Sequence, residues 1–148
     1  MQTIDNGFIQ LGRSKDSISL EHRVILIKTD SSGAMEWSRE FGDQFDDPNG
    51  VFILQAADSG YIFSCHSYAT LIIRTNSNGD TVWTKNYNAG LISSILQTND
   101  NGFILAGRFD TLGGGANALF CKIDSLGNII WSHVFDGGSA VEECVNVI

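Results

Sequence analysis

The chain has 148 residues, of which 43% are hydrophobic and 18% charged, and it contains 16 glycines and a single proline. This composition is typical of a turn-rich β protein and argues against a helical bundle or a disordered tail. Nine basic and 17 acidic residues give a net charge of -8, so release of counterions from phosphates could not drive binding. We therefore expect no nucleic-acid partner.

Neither the apolar runs nor the cysteines point to a membrane protein or a disulfide framework. The longest apolar runs, such as residues 24–27 and 51–54, are far shorter than a membrane span. Cys65, Cys121 and Cys144 are odd in number and show no CxxC spacing, which argues against both disulfides and a zinc site. We expect them to be buried as small hydrophobic side chains.

One sequence pattern recurs three times at a period of roughly fifty residues, which indicates a repeat architecture. Each copy has a glutamine, a polar turn that ends in glycine, two apolar runs, an Asx-x-x-Gly turn and a tryptophan. The glutamines are Gln2, Gln55 and Gln97, the first glycines are Gly7, Gly60 and Gly102, and the tryptophans are Trp37, Trp83 and Trp131. The matches indicate three copies of one structural unit.

Short apolar runs between turns predict four strands, a to d, in each copy. Strand a covers residues 51–55 and 92–97, strand b covers 8–13 in the first copy, and strand c covers 25–29, 71–75 and 119–123. Strand d contains the tryptophan. Asp-Asn-Gly at Gly7 and Gly102 predicts an a–b hairpin. Asp-Ser-Ser-Gly33 and its counterparts predict a type I c–d turn closed by a left-handed residue.

The combination of Asp-x-Gly-Phe-Ile, a small residue at the end of strand b, Lys-x-Asp-x-x-Gly and tryptophan resembles repeats of bacterial and archaeal surface or secreted proteins. Such repeats are interpreted as β-propeller blades, distantly similar to the tryptophan-docking blades of quinoprotein-type propellers. The resemblance implies an extracellular or cell-envelope protein, although residues 1–5 lack the features of a secretory signal. The quinone- and calcium-binding motifs of quinoprotein dehydrogenases have no match here, so no cofactor is expected.

The expected blades cover residues 2–48, 49–90 and 91–139, and residues 140–148 are expected to form the first strand of a further or shared blade. A β-trefoil is the alternative, because three four-stranded units in 148 residues also fit that closed barrel. Trefoil lectin repeats carry Gln-x-Trp, and no tryptophan here has glutamine two residues before it. We therefore expect a β-propeller segment.

Residues that recur in all copies are expected to serve the fold rather than a ligand. The three tryptophans are interpreted as packing between blades, with a sugar-stacking or cofactor platform as the alternative. Two sets of cations also recur, Lys28, Arg74 and Lys122 on strand c and Arg13, His66 and Arg108 after strand b. We expect each to pair with a nearby carboxylate or to extend past the strand edge; a basic ring around a channel is the alternative.

The only dense acidic cluster, Asp43, Asp46 and Asp47 next to Asn49, supplies the oxygen ligands that calcium prefers. Its spacing matches no EF-hand loop, and Asp-Asp-Pro-Asn is also an ordinary turn, so it is a candidate metal site without further support. The sequence has no HExxH motif and no Gly-x-Ser-x-Gly elbow, and residues 113–115 lack the Lys-Ser/Thr of a phosphate loop. We predict no catalytic residues.

A binding surface is predicted from the loops at one end of the repeats. In a four-stranded meander the a–b and c–d turns share one end, and here they are short and alike. The b–c and d–a loops share the other end and differ between copies, so a protein or carbohydrate ligand is expected there. We predict a non-catalytic binding or scaffolding module. The alternative is a hydrolase or lyase with its site in the central channel or at the acidic cluster.

The number of repeats also predicts a partner. Three blades are fewer than the roughly four that the smallest propellers need to close. The strand edges at residues 8–13 and 144–148 would then be open to another chain. We predict either a head-to-tail homodimer or a part of a longer propeller.

Overall fold

The computed structural model describes residues 1–15, 22–42, 49–67, 70–87, 90–110 and 115–136. The strands in these residues are, in chain order, β1 (Phe8–Lys15), β2 (His22–Thr29), β3 (Met35–Phe41), β4 (Asn49–Gln55), β5 (Tyr61–His66), β6 (Thr70–Thr75), β7 (Thr81–Asn86), β8 (Leu91–Gln97), β9 (Phe103–Asp110), β10 (Ala116–Ile123) and β11 (Ile129–Phe135). The described residues include no helix that is long and apolar enough to cross a membrane. The predicted strands at residues 8–13, 25–29, 51–55, 71–75, 92–97 and 119–123 each lie within an observed strand, whereas the strand predicted at residues 140–148 lies outside the described residues.

The strands form three antiparallel meanders, in which strands adjacent in sequence pair with each other. Sheet 1 has the order β1-β2-β3, sheet 2 has β4-β5-β6-β7, and sheet 3 has β11-β10-β9-β8. The all-β class predicted from the sequence is therefore confirmed. In sheet 1, a single bridge between Gln2 and Phe8 stands where strand a was expected, so this sheet has three strands instead of four.

Each described strand pairs within its own sheet, and the three sheets do not close on one another. A β-trefoil would instead join strands of all three repeats in one barrel. The sheets contact their neighbours through their faces, because apolar side chains alternate along the strands and project to both sides.

Two apolar clusters hold the sheets together. The first joins sheets 1 and 2 through residues such as Ile9, Leu26 and Phe63. The second joins sheets 2 and 3 through residues such as Ile72 and Leu105. Sheet 2 is thus covered on both faces, and its inner strands β5 and β6 are buried along nearly their whole length. The last strand of each sheet, β3, β7 or β11, lies at an edge and is largely exposed.

The two turns at the short-turn end of each sheet share one backbone design. In the c–d turns, Gly33, Gly79 and Gly127 have φ of 86°, 82° and 79°, as a type I turn with a left-handed closing residue requires. In the a–b turns, the left-handed residue is Asn6, Ser59 or Asn101, each of which precedes the glycine. The hairpin predicted at Gly102 is therefore confirmed, whereas the turn at Gly7 closes a single bridge. The glycines Gly7, Gly60 and Gly102 themselves serve another purpose, described below.

Candidate functional site

Side chains of strand d add to the contacts that the inner strands make between consecutive sheets. We call the face of each sheet that bears its tryptophan the forward face and the opposite face the rear face. Alternate residues of strand d place a tryptophan, a basic residue and an aromatic residue on the forward face. These triads are Trp37, Arg39 and Phe41 in sheet 1, Trp83, Lys85 and Tyr87 in sheet 2, and Trp131, His133 and Phe135 in sheet 3.

The first two tryptophans lie against the c–d turn of the next sheet. A methyl group added at Gly79 would lie 2.8 Å from Trp37 Cζ3, and one added at Gly127 would lie 3.1 Å from Trp83 Cζ3. The Trp37 ring also meets Tyr61 edge-on, with ring centroids 5.9 Å apart. The interpretation of these tryptophans as packing between sheets is therefore supported for Trp37 and Trp83. Trp131 differs, because 37% of it is exposed.

A recurring glutamine links consecutive sheets at the a–b turns. Gln55 Oε1 accepts a hydrogen bond of 2.8 Å from the backbone nitrogen of Ile4, and Gln97 Oε1 accepts one of 2.8 Å from Ala57. The Tyr87 hydroxyl adds a 2.7 Å bond to the carbonyl oxygen of Gly127. These roles are not predicted from the sequence, although the recurrence of glutamine at the end of strand a is a usable signal.

The strand-c cations are buried and paired, as expected for a structural role. Lys28, Arg74 and Lys122 are only 3%, 6% and 7% exposed. Each contacts the aspartate of its own a–b turn: the distances are 2.9 Å to Asp5, 2.5 Å to Asp58 and 2.7 Å to Asp100, respectively. Lys28 also reaches Glu36 at 2.8 Å, and Arg74 donates to the Tyr61 carbonyl oxygen at 3.1 Å. A burial this deep is tolerable because each charge is satisfied.

This pairing explains the a–b glycines. A methyl group added at Gly7 or Gly102 would lie 2.5 Å from the ammonium nitrogen of Lys28 or Lys122, respectively, and still closer to a backbone carbonyl oxygen of strand c. Gly60 has the same relation to Arg74 and Thr75. The glycine is therefore required by the close approach of the strand-c carbonyl oxygen, with the buried cation beside it, since none of the three has a positive φ.

The turn carboxylates are held ionised by the same contacts. Hydrogen bonds from the Lys122 ammonium, the Thr98 hydroxyl and the Gly102 backbone keep the pKa of Asp100 well below its ordinary value of 3.8. The Thr3 hydroxyl, Lys28 and the Gly7 backbone do the same for Asp5. These carboxylates are fixed partners of buried cations, which is a poor state for a general acid or base near neutral pH.

A cleft of about 460 Å³ opens between sheets 2 and 3 at the short-turn end. Its lining includes Asp58, Arg74, Trp83 and Ser125. Arg74 is paired with Asp58, and the Trp83 indole nitrogen donates to the Ser125 carbonyl oxygen at 3.0 Å. These polar groups are already engaged with each other, so the cleft is part of the packing between the two sheets.

The second set of recurring cations lies at the opposite, variable-loop end. Arg13 Nη1 lies 3.4 Å from Asn49 Oδ1 of the next sheet. Arg108 Nε lies 3.1 Å from Asp110 Oδ1, and the His66 ring shares a 3.2 Å hydrogen bond with the Thr70 hydroxyl. Burial, together with the charge of Arg108, lowers the pKa of His66, so its ring is neutral at neutral pH.

The cysteines in the described part of the chain are free and buried. Cys65 and Cys121 are buried as expected, and burial raises the pKa of their thiols to about 12 and about 11. Cys144 and the candidate metal ligands Asp43, Asp46 and Asp47 lie outside the described residues. Among the residues that the structure does describe, no group of three or more His, Cys, Asp or Glu side chains is placed to hold a metal ion.

Comparison with other proteins gives a likeness of fold. No protein-family model and no curated protein matches the chain. A solved crystal structure of a protein of unknown function from Bacteroides caccae is similar, with a TM-score of 0.53 and 9% sequence identity. The match covers 88% of this chain and 59% of that one, so the present chain spans less than two thirds of its structural neighbour. At this identity the similarity concerns the fold alone.

Proposed function

We propose that the three sheets are consecutive β-propeller blades and that the chain is a non-catalytic binding or scaffolding module of an extracellular or cell-envelope protein. The proposal rests on the structural role of the recurring polar residues, which bind one another within the fold. Lys28, Arg74 and Lys122 each neutralise an a–b turn aspartate. The polar residues that recur in this chain therefore form contacts within and between the sheets.

The packing of sheets supports the propeller part of the proposal. The forward face of sheet 1 meets the rear face of sheet 2, and the forward face of sheet 2 meets the rear face of sheet 3, with the same tryptophan-on-glycine contact at both interfaces. Repetition of one interface in one direction is how radially repeated sheets are assembled. The location is proposed from the sequence resemblance.

The ligand surface that we propose is the end of the module that bears the b–c and d–a loops. At this end Arg13, His66 and Arg108 occupy the same position of strand b in three sheets, and none of them is fully buried. Their neighbours differ from copy to copy, whereas the turns at the other end are nearly identical. A rigid scaffold with one variable end is suited to recognising a protein or carbohydrate through hydrogen bonds.

A binding screen with matched variants tests this proposal. The purified chain would be screened against immobilised neutral and acidic oligosaccharides and against peptides, in parallel with a loop-end variant that combines Arg13→Gln, His66→Gln and Arg108→Gln. The control variant combines Asn78→Ser and Leu126→Ser, which make the exposed tips of all three c–d turns serine.

A ligand that the control variant retains and the loop-end variant loses would support the proposal. A ligand bound equally by both variants would place recognition elsewhere on the molecule. Chemical conversion of any member of the screen would contradict the non-catalytic role.

A further inference from the structure

The buried cations of sheets 1 and 2 occupy equivalent positions, but their surroundings differ by one carboxylate. Lys28 contacts two carboxylates, Asp5 at 2.9 Å and Glu36 at 2.8 Å. Among the described residues, Arg74 contacts one, Asp58 at 2.5 Å. The interface between sheets 2 and 3 therefore lacks the second carboxylate that the interface between sheets 1 and 2 contains.

The difference arises at one position of strand d. A register shift between strands c and d leaves one residue unpaired before the tryptophan, and this residue is Glu36 in sheet 1 and Val82 in sheet 2. Val82 lines the cleft of about 460 Å³ that Arg74 also lines. The cleft therefore includes the position that corresponds to the Glu36 carboxylate.

A hydroxyl group is missing from the same place. Burial raises the pKa of Tyr61, and the charges of Lys28 and Glu36 act on its hydroxyl, so these groups are neighbours between sheets 1 and 2. Phe103 occupies the position of Tyr61 at the start of strand b in sheet 3, and its ring centroid lies 6.0 Å from Arg74 Cζ. Sheet 3 thus presents an aromatic face to Arg74 where sheet 2 presents a polar group to Lys28.

The pairing of Arg74 with Asp58 leaves donors unused. The described hydrogen bonds to Tyr61, Thr75 and Asp58 engage both Nη1 hydrogens and one hydrogen of Nη2. The second Nη2 hydrogen and the Nε hydrogen remain for a further acceptor. Arg74 is 6% exposed, and a hydrogen bond from a charged donor is stronger in such surroundings than in water.

The rest of the cleft suits a small molecule with an apolar body. Val82, Trp83 and Phe103 supply apolar surface, and Ser77 and Ser125 lie on the polar side of the lining. Sites for small molecules have volumes of about 300–1,000 Å³ and combine apolar walls with a few polar groups. The cleft has both properties.

We propose that this cleft binds a small carboxylic acid, whose carboxylate takes the place that Glu36 has beside Lys28 and accepts hydrogen bonds from Arg74. The apolar part of the ligand lies against the aromatic rings of the cleft. A carboxylate is favoured over a neutral group because the chain itself places one beside the equivalent cation. This site is at the short-turn end, so the inference goes beyond the role proposed for the loop end and does not depend on it.

Titration of the full chain with sodium benzoate at constant ionic strength tests the proposal. The reporter is the indole N–H resonance of Trp83, which Trp83→Phe identifies by its disappearance. We expect a saturable shift with a Kd on the order of 1 mM, as a ligand of this size allows. The neutral analogue benzamide should bind roughly tenfold more weakly, because it lacks the charge that Arg74 recognises.

Two matched variants separate the cleft from a general effect of charge. Val82→Glu returns a carboxylate to the position of Glu36, so it should weaken benzoate binding by roughly tenfold or more. Ile130→Glu adds the same charge at the equivalent position of sheet 3 and should bind benzoate as the wild type does. Val82 and Ile130 are 60% and 56% exposed, so both variants should fold, and circular dichroism checks this.

Three results would overturn the proposal. The first is a Trp83 resonance that does not move up to about 50 mM benzoate. The second is equal affinity for benzoate and benzamide. The third is equal affinity of the folded Val82→Glu variant and the wild type for benzoate, since the new carboxylate should compete for Arg74.

Discussion

The indole nitrogen of Trp83 donates a hydrogen bond of 3.0 Å to the backbone carbonyl oxygen of Ser125, in the c–d turn of the following sheet. The same ring packs against Gly127 and the second apolar cluster. One side chain thus links two sheets through both a polar and an apolar contact.

Replacement of Trp83 by alanine is expected to lower the free energy of unfolding by about 3 kcal/mol, because it removes buried aromatic surface and leaves the Ser125 carbonyl without its donor. The matched variant Trp131→Ala should cost less than about 1 kcal/mol in the monomer, since that ring is more exposed and contacts its own sheet. Urea titration measures both. Equal losses would show that the ring of Trp83 does not stabilise the contact between sheets 2 and 3.

Acid should reduce the contribution of Asp100 to stability. Its pKa is depressed in the folded state, so its stabilisation is complete above the ordinary value of 3.8 and is lost as the pH falls through the lower folded value. The difference in urea midpoint between the wild type and Asp100→Asn should therefore be largest near neutrality and should shrink below about pH 4.

Lys122→Met is the companion variant, because it removes the largest cause of the depressed pKa. It should flatten the same acid limb. A midpoint difference that stays constant from neutral to acid pH would show that the pair between Lys122 and Asp100 is not formed in solution.

Two glycine-to-alanine substitutions should have different effects. Gly102→Ala should cost about 2 kcal/mol or more, because the new methyl group would meet the Ile123 carbonyl oxygen and the Lys122 ammonium. Gly12→Ala should change stability by less than about 0.5 kcal/mol, since its nearest neighbour would be Ile25 Cγ2 at an ordinary 3.4 Å. Thermal melts followed by circular dichroism compare them. A tolerated Gly102→Ala would contradict the close packing of cation over turn.

The buried thiols should resist modification. In a Cys144→Ser background, Cys65 and Cys121 should react with a thiol reagent at pH 8 on the order of a hundredfold more slowly in the folded chain than in urea. Both should label fully once the chain is unfolded. Rapid labelling of Cys65 in the native chain would mean that the cluster between sheets 1 and 2 opens readily.

Much of the fold was predictable because one local sequence pattern occurs in three repeats. Alternating apolar residues marked the strands, and Asx-x-x-Gly marked the c–d turns whose glycines have positive φ. The pairing of Lys28 with a carboxylate was also anticipated, since a cation in an apolar strand needs a counter-charge.

Other features depend on contacts between sheets, which a single repeat does not reveal. Gly7 was expected to serve a hairpin, yet its role comes from the close approach of the Thr29 carbonyl oxygen and the Lys28 ammonium, which lie far away in sequence. The hydrogen bond from Ile4 to Gln55 joins two repeats and has no local signature. The exposure of Trp131 differs from that of Trp83 although their local sequences match, because the neighbouring sheet decides burial.

The pairing of each strand within its own sheet has a consequence for how the chain unfolds. Stability is a sum of one contribution per sheet and one per interface, as in a short one-dimensional array. Losing sheet 1 or sheet 3 removes one interface, whereas losing sheet 2 removes both. Opening therefore begins at the two outer sheets, and the amides of β5 and β6 exchange last with solvent hydrogen. A single two-state melting temperature would then describe the middle sheet better than the ends.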